Sequence, residues 1–286
     1  MKKIILFILI IIFFLSFILE LTARIFHLSD LMGTDANLYL QREMKKKNSY
    51  FHVLKPNLEA KIFNERFFTD DYGYRVPFLN YKYTEENDTV FFIGDSTTFG
   101  NGILEEGTFV GLLRNKFTSI NFINSSVPGY NIPQIMEMLE STANFKNVKK
   151  VFYIYTLNDI SNISTDQETN LEQKRVNKFR DIKITKKINN FFRDKSFFYM
   201  WFKGKLTDPS VRYFKYDYNA YKVKSNIDLL ELSLEKIKAH FSKNNIDFKI
   251  ILLPYEFQTR ENNCYNEYIY PQKVVSRIVK KFDINF

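Results

Sequence analysis

The hydrophobic pattern opens on one uninterrupted run: Ile4 to Leu19 is apolar at every position except Ser16. With Leu21 to Ala23 extending it, the run approaches the roughly 20 residues that cross a bilayer as a helix. Lys2 and Lys3 precede it, and Leu21 stands where a cleavage site would need a small residue. This predicts an uncleaved signal anchor over residues 1–24, contacting the membrane through residues 4–23. The N-terminal tail stays in the cytoplasm, and a single-pass topology puts the rest on the exported side, periplasmic or extracellular.

Residues 25–87 give turn signals at Lys55-Pro56-Asn57 and from Asp70 to Arg75, and read as an extension. The pattern then becomes regular. Thr89 to Ile93 is a continuous apolar run suited to a strand buried on both faces. Helical spacing follows over 108–117, a short strand at 120–123, a helix over 133–145 and a third strand at 150–155. Residues 160–222 are polar, basic and aromatic, with helical stretches but no strand, and read as an insertion or lid. An amphipathic helix over 228–243, presenting Leu229, Leu230, Leu232, Leu234, Ile237 and Phe241, leads to a strand at 247–254. A helix over 273–281 follows, and Ile284 to Phe286 would open a fifth strand. Strands alternating with helices predict an α/β domain over 88–286, a parallel sheet covered on both faces.

Composition changes this picture little. Thirty Phe and 18 Tyr in 286 residues can fill a large core, which excludes a disordered chain. One cysteine, Cys264, excludes an intrachain disulfide. The net charge of +9 concentrates between Lys174 and Lys205, where only Asp181 and Asp194 oppose the basic side chains. The plain reading is a solvated surface; the sharper one is contact with anionic lipid or an acidic glycan. The preceding membrane segment argues against nucleic acid.

Ligands of such sheets bind outside the carboxyl ends of the strands. The first strand ends in Gly94-Asp95-Ser96, the second leads to Gly129, and the third ends in Asn158-Asp159. Taken singly these are a turn, a Pro-Gly turn and a helix cap. At consecutive strand ends they converge into chemistry: Ser96 as nucleophile, the Gly129 N–H and the Asn158 carboxamide as oxyanion donors, and Asp95 and Asp159 in support. No His/Cys cluster or phosphate loop points to a metal or cofactor.

These residues resemble the SGNH, or GDSL-type, hydrolases, whose nucleophile block reads Gly-Asp-Ser. Their second block gives a glycine amide, matched by Gly129. Their Gly-x-Asn-Asp block is matched by Thr156-Leu157-Asn158-Asp159, with Thr156 in place of glycine. The resemblance covers about residues 88–286 and implies a flavodoxin-like three-layer sandwich, the SGNH hydrolase fold, behind one transmembrane helix. The α/β-hydrolase elbow fits worse, because Thr98 stands where it needs glycine. The family's Asp-x-x-His block has no match: none of His27, His52 and His240 follows an aspartate at that spacing. The chain is therefore expected to lack the catalytic histidine, as a truncated product or incomplete gene model missing the domain's C-terminal part.

The resemblance implies a serine esterase acting on acyl or acetyl esters of envelope glycans or lipids. The alternatives are a polysaccharide O-acetyltransferase, sharing the acyl-enzyme step, and a non-catalytic envelope protein.

Overall fold

The structure, a computed structural model, describes residues 2–26, 28, 42–44, 52–62, 65–139, 142, 145–160, 191–192, 195–206, 208–261, 263 and 267–286. The apolar run forms α1 (Lys2–Ile25). Within it, Leu6–Ile25 has a mean hydropathy of 2.8 and is long and apolar enough to cross a membrane. Short strands β1 (Arg42–Met44) and β2 (His52–Leu54) form an antiparallel pair.

The main sheet begins with three antiparallel strands, β3 (Glu59–Ile62), β4 (Glu65–Thr69) and β5 (Arg75–Val76). It continues through β6 (Asp88–Gly94), helices α2 (Ser96–Phe99) and α3 (Phe109–Lys116), β7 (Ile120–Asn124), α4 (Ile132–Met138) and β8 (Val148–Tyr155). Beyond these lie α5 (Phe197–Leu206), α6 (Pro209–Ala220), α7 (Lys224–Lys243), β9 (Asp247–Leu252), α8 (Glu256–Thr259) and α9 (Tyr270–Lys281). The sheet order is β3-β4-β5-β7-β6-β8-β9.

From β7 to β9 all pairings are parallel, and Asn285 bridges Lys249 in parallel, where a fifth strand would lie. That is the flavodoxin-like order, second-first-third-fourth-fifth. Alternate residues of β6 separate two cores. Phe91 and Ile93 join Val151, Tyr153, Phe248 and Ile250 beneath α4, α7 and α9. Phe92 joins Phe122 and Ile154 beneath Val110 of α3. The fold is a three-layer α/β sandwich, as the strand pattern requires when both faces are apolar. α3 covers its face only in part, leaving an apolar recess between Phe109 and Leu113 of the helix, Phe152 and Ile251 of the strands, and Leu253 just beyond β9.

Three details differ from the sequence expectation. The helix expected over 133–145 ends at Met138. Phe145, beyond it, packs its ring 5.1 Å from that of Phe91. Leu232 of α7 is exposed, because the helix stripe is narrower than its leucine content. Residues 59–76 gave turn signals but no strand signal, yet they extend the sheet. Their strands are short and mix Glu59, Lys61, Glu65 and Arg66 with apolar positions, as edge strands do to prevent further pairing.

Candidate active site

The site is assembled from four strand ends on one edge of the sheet. β6 closes on Gly94, where a Cβ would meet Thr98 Oγ1 at 2.2 Å and the Ile154 carbonyl oxygen at 2.9 Å, so the turn needs glycine. Asp95 caps α2, accepting from the Thr97 N–H at 2.8 Å. Ser96, the first residue of α2, is partly exposed. Among the described residues its hydroxyl has no hydrogen-bond partner.

At the end of β7, the Asn124 carboxamide donates to the Thr98 carbonyl at 3.1 Å and accepts from Ser126 Oγ at 2.5 Å. The Val127 N–H donates to the Gly94 carbonyl at 3.4 Å, tying this loop to the first strand end. Gly129 follows at φ 85, left-handed backbone that a side chain would strain, and is exposed. At the end of β8, Asn158 Nδ2 donates to Asp95 Oδ2 at 2.9 Å. The first and third strand ends are thereby hydrogen-bonded to each other.

Asp159 lies deeper. Its fully buried carboxyl accepts from the Tyr153 hydroxyl at 2.8 Å and from the Thr156 hydroxyl at 3.1 Å. Burial, reinforced by the charge of Asp95, pushes it well above the usual carboxylate range. Thr156 thus has a physical role where the resembling family carries glycine: its hydroxyl and N–H both hold Asp159.

Sequence reasoning missed three contributors. From the end of β9, the Tyr255 hydroxyl contacts Asp217 Oδ2 at 2.5 Å and Asn158 Oδ1 at 3.3 Å. Asp217, on α6, is pushed up to about 7, chiefly by burial and partly by the charge of Asp95, against the lowering effect of the Tyr255 bond. With Asp217 protonated, its O–H can donate to Tyr255 and the Tyr255 O–H to Asn158. Every member of the chain Asp217–Tyr255–Asn158–Asp95 is then satisfied. Tyr255 follows directly on the fourth strand and was findable by the rule that exposed the others. Asp217 sits in the segment read as an insertion and carries no comparable signal.

The third is Arg75. Its guanidinium is fully buried and donates to the carbonyls of Phe99 at 2.6 Å and Gly100 at 2.7 Å, and to that of Ile103. Its Nε lies 2.8 Å from Glu105 Oε2, and Arg114 pairs with the other Glu105 oxygen. β5, paired between β4 and β7, thereby fixes the loop that leaves α2.

The two described histidines, His52 and His240, lie elsewhere. His52 is buried in β2 with its ring edge-on to Tyr130, 5.4 Å between centroids. His240 occupies the last turn of α7, which leads into the start of β9 and so lies at the opposite edge of the sheet from Ser96. His27, Cys264 and most of the basic segment, including Lys174 and Asp181, fall outside the described residues. Among the described residues no cluster of His, Cys, Asp or Glu could hold a metal ion.

No family model matches the chain, and no curated protein matches it. Similar solved structures include TesA, at TM-score 0.39 and 12% identity over 69% of this chain and 76% of that one. The SGNH-hydrolase family esterase AlinE4 has TM-score 0.37 and 10% identity over 71% and 76% of the two chains. A member of the lipolytic protein G-D-S-L family from Veillonella parvula DSM 2008 has TM-score 0.34 and 13% identity over 69% and 75%. At these scores the fold assignment stands on the strand order of this chain itself.

Proposed function

We propose that the chain carries out serine-dependent acyl-ester chemistry of the SGNH type. The observation that carries the reading is the hydrogen bond between Asn158 and Asp95, which joins the third strand end to the residue preceding Ser96. Ser96 Oγ would attack the ester carbonyl, forming the Oγ–C bond as the carbonyl π bond opens to an oxyanion. The Gly129 N–H and the second N–H of Asn158 would stabilise that charge. Collapse expels the alcohol and leaves acyl-Ser96, which water then resolves. The Ser96 proton passes to solvent at this partly exposed position as the Oγ–C bond forms, and the departing alkoxide takes up a proton from solvent as it leaves. With α1 as an anchor, the substrates are acyl or acetyl esters of envelope glycans or lipids at the outer membrane face. A sugar hydroxyl in place of water would make the same site an O-acetyltransferase.

That the Ser96 hydroxyl has no hydrogen-bond partner among the described residues favours a second reading, a fold retained for binding without turnover. A fluorophosphonate, which reacts with activated serine hydroxyls, separates the two. The esterase reading expects one adduct on Ser96 of the full chain by peptide mass, absent in Ser96→Ala. A folded chain that gives no adduct, or gives it at another residue, overturns it.

A further inference from the structure

α5 presents a contradiction that its own domain does not resolve. Its sequence, Phe-Phe-Tyr-Met-Trp-Phe-Lys-Gly-Lys-Leu, carries apolar or aromatic side chains at its first six positions, which encircle the helix. A helix apolar all round belongs in a core or a membrane. Yet none of its residues is buried, and Phe202 and Leu206 are among the exposed large side chains. Ten residues rise only about 15 Å, half a bilayer's hydrocarbon thickness, so the helix cannot span one.

What holds α5 is the far end of α1. Glu20 accepts from Ser196 Oγ at 2.7 Å and from the N–H groups of Phe197 and Phe198, both at 3.1 Å. These are N–H groups that a helix start leaves without intrahelical partners. Arg24 closes the junction, donating to Glu20 at 2.8 Å and to the Lys195 carbonyl at 2.9 Å, with its guanidinium 4.8 Å above the Phe197 ring. A carboxylate beside an apolar span is costly unless paired, and here it is paired with α5.

Distance along α1 sets the depth. Seventeen residues separate Lys3 from Glu20, about 25 Å of helix against a hydrocarbon core of about 30 Å. With Lys2 and Lys3 at one interface, Glu20 lies at the inner boundary of the other. Phe198, Trp201 and Phe202 then start at the depth where aromatic side chains concentrate, and Lys203 and Lys205 can reach the headgroups.

We infer that α5 is an interfacial helix, seated in the headgroup–acyl boundary of an anionic bilayer and clamped by Glu20 to the end of the membrane span. The inference rests on α1 being a retained anchor.

Trp201 is the only tryptophan in the chain, so emission excited selectively at the long-wavelength edge of indole absorption, where the 18 tyrosines do not absorb, reports on α5 alone. The full chain is reconstituted in phosphatidylcholine–phosphatidylglycerol vesicles. The expected result is loss of Trp201 emission when lipid is brominated near the headgroup end of its acyl chains, and protection from aqueous iodide. Release of the protein by a carbonate wash overturns the anchor reading and this inference with it. A retained protein whose Trp201 is quenched by iodide and not by brominated lipid overturns the inference alone. Retention with quenching by neither places α5 under protein, such as a second copy, and overturns it too. In Glu20→Ala the lipid quenching should fall and the iodide quenching rise with membrane retention unchanged; no change in quenching removes the clamp.

Discussion

Asn158 Nδ2 lies 2.9 Å from Asp95 Oδ2, so the aspartate orients the carboxamide that the proposed mechanism uses as an oxyanion donor. Asp95 spends its other oxygen capping α2. The two residues should therefore act as a unit. Asn158→Ala should slow Ser96 acylation by about 10²- to 10³-fold, the scale for one oxyanion donor. Asp95→Ala should slow it as well, and lose about 1 kcal/mol of stability with the cap. The double variant should be no slower than the worse single one, a non-additivity that phosphonylation kinetics can read. Additive losses would mean that Asp95 does not act through Asn158.

Arg75 and Glu105 give a stability prediction at the same site. Glu105→Gln would leave the guanidiniums of Arg75 and Arg114 buried with only neutral partners. Breaking a buried ion pair from one side costs about 3–5 kcal/mol. Denaturant unfolding should show that loss, and hydrogen exchange should rise in the loop from Phe99 to Ile103, where Arg75 holds the carbonyls of Phe99, Gly100 and Ile103.

Asp217 sets a pH dependence whose sign follows from its raised pKa. Unfolded, the group titrates near its ordinary value of 3.8; folded, near 7. Between these values the folded state holds more protons, so stability must fall as pH rises through that window and level off above it. The full rise corresponds to at most about 4 kcal/mol. Asp217→Asn mimics the protonated form and should flatten the curve. Its melting temperature should exceed that of the parent at pH 8 and match it near pH 4. A parallel displacement at both pH values would reject the assignment to Asp217.

Gly94 tests the geometry of the nucleophile turn. A methyl group there would strike Thr98 Oγ1 and the backbone oxygen of Ile154. Gly94→Ala should destabilise by about 1–3 kcal/mol, the usual scale for overpacking. Adding Thr98→Ala should recover part of that loss in denaturant unfolding, because it removes the nearest of the three obstructing atoms and leaves Thr98 Cβ and the Ile154 oxygen in place. An unchanged midpoint in the single variant would show that the strand can end there without glycine.

The sequence by itself determined the parallel sheet, because both faces of β6, β8 and β9 must be apolar and the intervening segments repeat at helical spacing. It also placed Ser96, Gly129 and Asn158 at one edge, since consecutive parallel strands must end on the same side. Only the tertiary structure decided the rest. Arg75 lies 21 residues before Ser96 and reads locally as a turn residue; its role exists because β5 pairs beside β7, at Arg75 and Asn124. Asp217 became part of the site when α6 packed beneath Tyr255, a contact across 38 residues that no periodicity encodes. Glu20 and Ser196 meet across 176 residues. Periodicity records which face a residue buries, whereas partners so distant are chosen by how the layers stack. That choice turned a costly carboxylate at the end of an apolar helix into the cap of another.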